Sequence, residues 1–178
     1  MTSTPFPREH TVATWDDGFV LVRVGYGHPD AVRLVEEVQA VYVERYGGPD
    51  ATPLDPAMFV PPTGSFLVGY LGGDPVATGA WRRQPDVAAR AGFAGLDVAE
   101  VKRMYVAPRA QRRGLARRVL ATLEQDAGAA GVRAMVLETG QKQPEAVALY
   151  DSAGWSPVPG YGHYADDPLS VYRGKRLG

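Results

Sequence analysis

The chain has 178 residues, with 19 basic and 20 acidic side chains, 45% hydrophobic residues and no cysteine. That length buries one substantial core and is short for two independent domains, and the near-neutral charge argues against nucleic-acid or anionic-membrane partners. Without cysteine there are no disulfides, thiolate zinc sites or thiol nucleophile, so any catalysis falls to oxygen and nitrogen groups.

Residues 1–17 are polar and proline-bearing, without the charged and apolar regions of a secretory signal, and are expected as a loose tail ahead of one domain over 18–178. No apolar run approaches the ~20 residues that span a bilayer, so a soluble, cytoplasmic protein is expected. Residues 19–24 are rich in β-branched and aromatic types and read as a first strand. Over 30–45, Val32, Leu34, Val35, Val38, Val41 and Tyr42 recur at helical steps between charged residues, which predicts an amphipathic helix. The segment 47–64 holds five prolines and is a loop with a short helical turn near 55–59, placed to wall a pocket. Strands are predicted at 65–71 and 75–82, joined by a Gly72-Gly73-Asp74 hairpin turn. Residues 84–96 are mostly small and carry no element signal. A fourth strand is predicted at 99–106, a helix over 114–130, a fifth strand at 133–138, a helix over 144–153 with proline in its first turn, and late strands at 155–158 and 170–176. The order describes a mixed α/β domain without internal repeats.

The segment 100–116, EVKRMYVAPRAQRRGLA, runs from a strand through a basic, proline-broken turn into a helix that opens with Gly114. Unsatisfied N–H groups and the positive end of the dipole make such a turn receptive to phosphate, and glycine lets a ligand approach the main chain. Arg109, Arg112 and Arg113 add charge around it. On its own, the same pattern also describes an ordinary solvated helix start.

Gln111 to Ala116, read as Q-R-R-G-L-A, matches the Q/R-x-x-G-x-G/A signature of the GNAT superfamily of N-acetyltransferases, and Met104 to Pro108 resembles that family's fourth strand. Ala146, Leu149 and Tyr150, followed by Gly154 and Trp155, resemble the family's A-x-x-L-Y-x-x-x-G-F ending, with Trp155 in place of phenylalanine. The resemblance implies a GNAT acyltransferase fold: a central mixed sheet of six to seven strands, splayed between strands four and five and flanked by about four helices. It implies direct transfer of the acetyl group of acetyl-coenzyme A, as cosubstrate, to a primary amine of a small-molecule or amino-acid-like acceptor. By the same resemblance the main chain of Gln111, Arg112, Arg113, Gly114, Leu115 and Ala116 holds the pyrophosphate. The pantetheine arm lies against Met104, Tyr105 and Val106, where a main-chain N–H near Met104 stabilises the oxyanion. Tyr150 is the general acid for the departing thiolate. Glu100 is the first choice of base and Glu138 the second. Gln143 stands where many members carry asparagine contacting the coenzyme, three residues before Ala146, so the amide is kept on a longer arm.

His163 lies in a Gly- and Tyr-rich loop that would close over an acceptor, and Tyr42, Tyr46, Trp81, Arg82 and Tyr161 are candidate pocket-lining residues. The histidines at 10, 28 and 163 have no ligand spacing, so no metal is expected. No G-x-S-x-G elbow or P-loop is present. The competing reading is a GNAT-like domain that binds acyl-coenzyme A without catalysis; Gly114 and Tyr150 favour the enzyme. A homodimer is compatible with the resemblance, because sheet-mediated dimers are common in such proteins.

Overall fold

A computed structural model describes residues 10–178. Eight strands form one sheet in the order β1-β2-β3-β4-β5-β6-β8-β7: β1 (Thr11–Thr14), β2 (Phe19–Arg23), β3 (Gly64–Leu71), β4 (Asp74–Arg83), β5 (Val98–Val106), β6 (Ala134–Gly140), β7 (Ser156–Pro157) and β8 (Ser170–Arg176). Among the described residues three α-helices accompany it: α1 (Pro29–Tyr46), α2 (Leu115–Ala129) and α3 (Pro144–Ser152). The count differs from the expected six to seven strands and about four helices, because β1 adds a short strand to the sheet and the other helical stretches are single 3-10 turns at Pro56–Phe59, Pro85–Val87 and Pro108–Ala110.

The expected loose tail is corrected over its second half. Thr11–Thr14 pairs antiparallel with β2, and the partly buried Val12, Ala13 and Trp15 pack on the main core. Residues 1–9 of that expectation lie outside the described residues. Residues 84–96 are not free either: Val87, Ala88, Ala91 and Phe93 bury against Val98, Ala134, Val136, Tyr161 and Tyr172. Small side chains hid this packing from periodicity.

The sheet is covered on both faces. On one, Ala31 and Leu34 of α1 pack on Val22, Phe66, Val68, Tyr70 and Ala80. On the other, Leu115, Val119, Leu120, Leu123 and Ala127 of α2 pack with Trp81, Val101, Met135 and Leu137, joined by Tyr150 of α3. Burying each large apolar side chain of α2 is worth roughly 1.5–3 kcal/mol, far more than the roughly few tenths of a kcal/mol lost because its N-cap, Gly114, offers no capping side chain. Asp126 on α2 fixes the same helix by accepting from Trp81 Nε1 at 2.8 Å and pairing with Arg23.

Two irregularities of β5 position the site. Its pairing with β4 shifts between Thr78 and Ala80, so Arg103 and Met104 both stand opposite Gly79, a bulge with Arg103 at φ 55°. Its parallel pairing with β6 covers only Val98↔Ala134, Ala99↔Met135 and Glu100↔Val136. Beyond Glu100 the two strands part while β6 stays paired with β8.

Candidate active site

A cavity of about 280 Å³ occupies the gap between β5 and β6. It is walled from both faces of the sheet: by Tyr42 and Tyr46 of α1 on one side and Ala146 and Tyr150 of α3 on the other, with Met104 on β5 and Glu138 on β6. Asp50, Tyr164 and Ser170 close it from the 47–64 and 159–170 segments. These two segments are tied together, since Tyr164 Oη accepts from Ala51 N at 2.8 Å and donates to Asp50 Oδ1 at 3.2 Å.

Tyr150 is buried to 5% exposure by packing against Trp155 at 6.0 Å between ring centroids, and its hydroxyl has no hydrogen-bond partner among the described residues. Burial raises its pKa, and Tyr42 and Glu138 add to the rise, so the phenol keeps its proton at neutral pH. Tyr42 is likewise pushed up to about 12, chiefly by burial. Glu138 is raised from the usual carboxylate value by burial, opposed by the Ser170 hydroxyl, which donates to it at 2.8 Å, and by Lys102. A carboxylate held in that way is a stronger proton acceptor than an exposed one.

Glu100 is placed differently. It stands opposite Arg82 in the β4–β5 register, 4% exposed, and its Oε2 accepts from Arg82 Nε at 3.0 Å and Nη2 at 2.8 Å. It is not on the cavity wall, and the structure does not bring it together with Tyr150. Among the other candidates, Tyr46 lines the cavity, Arg82 is consumed by Glu100, Trp81 faces α2 on the opposite side of the sheet, and Tyr161 is buried in the cluster around Phe93. His163 is exposed beside Tyr164.

A second groove begins where β5 ends. Val106, Gln111, Arg112, Gly114, Leu115 and Ala116 line it, and Ala148, Leu149 and Ser152 of α3 face them. Arg112 at φ 62° and Gly114 at φ 71° are both left-handed, the backbone form in which neighbouring N–H groups converge on an anion. Gln111 Nε2 ties the turn to Val106 O at 3.0 Å. Arg113 is exposed and off the groove wall, and Arg109 is turned away to Pro75 O at 2.6 Å and Glu37 at 3.6 Å. Tyr105 points toward α1, where its hydroxyl donates to Glu37 at 3.1 Å. Gln143 and Ala146 line the first cavity rather than this groove.

Sequence reasoning missed Arg103, Asp50, Tyr164 and Ser170 on the cavity wall, and Arg117, which bridges the groove to Ser152 Oγ at 2.6 Å. Strict alternation along β5 puts residues 102 and 103 on opposite faces; only the bulge lets both reach the cavity.

The fold is shared with known proteins. A model of the acetyltransferase (GNAT) family matches residues 32–155. The chain belongs to this GNAT family. An IAA acetyltransferase of Azospirillum brasilense is 34% identical over 146 residues, covering 82% of this chain and 90% of that protein. Among solved structures, a Klebsiella pneumoniae chain assigned as an acyl-CoA N-acyltransferase has a TM-score of 0.72 at 24% identity, covering 92% of this chain and all 100% of that one. A GNAT family acetyltransferase of Elizabethkingia anophelis with acetyl-CoA bound has a TM-score of 0.61 at 13% identity, covering 91% and 100%. This GNAT chain is therefore an acyltransferase with the fold of its family.

Proposed function

We propose that the chain is an N-acetyltransferase that moves the acetyl group of acetyl-coenzyme A to a primary amine of a small molecule by direct attack in a ternary complex. The observation that carries this reading is the opening between β5 and β6, with Tyr150 on its wall and the α2 N-terminal turn beyond its mouth. The residues present fit the donor. The uncapped N–H groups around Arg112 to Ala116 receive the pyrophosphate, and the edge of β5 near Met104 and Val106 offers main chain to an extended arm. The thioester supplies the activated acyl group.

This chain's own residues then handle the protons. The amine must be neutral to attack, and Glu138, raised by burial and set on the cavity wall, takes its proton directly or through one water. Tyr150 keeps its proton at neutral pH and gives it to the departing thiolate. A main-chain N–H of the bulge near Met104 stabilises the oxyanion. Glu100, the other candidate, is held by Arg82 and has a structural role. A small acceptor agrees with the cavity's size and with the name of the Azospirillum relative.

The test is thiol release from acetyl-coenzyme A across a panel of amines, with wild type and Tyr150→Phe. Loss of the acid is expected to lower kcat by about 10²–10⁴ with coenzyme affinity kept. Coenzyme binding without turnover on any amine would reduce the chain to a binding module.

A further inference from the structure

Resting on the acetyl-transfer reading, we infer that the amine acceptor carries a carboxylate, and that Lys102 and Arg103 bind it. The cavity has an excess of hydrogen-bond donors that its own residues leave unfilled. Lys102 is 8% exposed, lines the cavity, and has no hydrogen bond among the described residues; its nearest anion is Asp50 Oδ2 at 3.9 Å. Arg103, 7% exposed, uses a single N–H, Nη1 to Asp50 Oδ2 at 2.7 Å, while its Nε is buried without a partner.

The acceptors are committed elsewhere. Asp50 Oδ1 accepts from Thr52 N at 2.9 Å, Thr52 Oγ1 at 2.7 Å and Tyr164 Oη at 3.2 Å, and its Oδ2 faces both cations. Glu138 holds the Ser170 hydroxyl. Asp167 sits exposed at the rim, where its Oδ1 accepts from Leu169 N at 2.8 Å.

An ammonium offers three donors and a guanidinium five, and leaving buried donors unfilled is costly. A ligand carboxylate fills them with charge-assisted bonds, whereas a cationic or neutral acceptor leaves them empty. The bulge is what makes the pair: it turns two consecutive residues of β5 into one cavity. The acceptor class is therefore an amino acid or an amine of similar size bearing an acid group.

The test compares standard α-amino acids with their primary amides and with the matching amines that lack the carboxyl group, in wild type, Lys102→Met and Lys102→Arg. Wild type is expected to favour carboxylates by about tenfold to a hundredfold in kcat/KM. Lys102→Met should erase most of that ratio and Lys102→Arg should keep it, with the KM for acetyl-coenzyme A unmoved in both. Equal or better turnover of amides and plain amines overturns the inference and leaves acetyl transfer standing, as does a preference that Lys102→Met does not change. No turnover on any amine, with coenzyme still bound, removes the acetyl-transfer reading and this inference with it.

Discussion

On the proposed mechanism, two glutamates on neighbouring strands divide into a structural carboxylate and a chemical one. Glu100 and Arg82 form a buried pair, and removing one partner of such a pair costs about 3–5 kcal/mol because the other is left uncompensated. Glu100→Gln is thus expected to lose most of its effect in stability, read as a lower denaturant midpoint. Glu138 behaves oppositely. Its folded-state pKa is raised, so its contribution to stability is fully present below the unfolded value and is lost as pH rises through the folded one. At neutral pH Glu138→Gln should melt at or above wild type, the difference shrinking as the pH falls through the carboxylate range, while acetyl transfer collapses. The acid limb of kcat/KM in wild type should lie above the ordinary glutamate range. A variant that melts lower and turns over normally would reverse the assignment.

At the level of elements, the bulge and the helix it faces act together. A Cβ on Gly79 would lie 2.5 Å from Val119 Cγ1, closer than real side chains come, and a tight 3.0 Å from Leu123 Cδ1 on α2. Gly79→Ala is expected to cost about 1–3 kcal/mol and to raise the apparent constant for acetyl-coenzyme A, since the displaced helix carries the turn proposed to hold the pyrophosphate. An unchanged denaturant midpoint would show that α2 yields without cost. Much of this element layer was legible in the chain. The Gly72-Gly73 turn and the strand-to-helix step at 106–115 follow from residue types whose backbone is restrictive, while the pairing of Gly114 with Tyr150 followed from the resemblance to the GNAT motifs. The bulge was not legible, because Arg103 is no glycine and nothing in K-R-M-Y marks a left-handed residue. The Arg82–Glu100 pair was hidden for another reason: register between strands joined by the long 84–97 connection is a tertiary property, so Glu100 read as a base and Arg82 as a pocket-lining residue rather than as each other's partner.

For the whole molecule, the proposed function makes the gap between β5 and β6 the place where the fold is coupled to its donor. Acetyl-coenzyme A at a thousand times its dissociation constant should add about 4 kcal/mol to unfolding stability, measured as a concentration-dependent rise in Tm. Amide exchange protection should grow at 101–106 and 111–116; uniform protection elsewhere with none there would refute the placement. The same gap has a second consequence. Most sheets confine their unpaired N–H and C=O groups to the outer rims, where charges and short strands discourage wrong partners; this one also has an open margin in its interior, at residues 101–106, flanked by covered faces. An extended peptide or peptidomimetic that presents main-chain amides at strand spacing, and an acid group toward Lys102, is thereby a template for inhibition that owes nothing to the nucleotide half of the coenzyme.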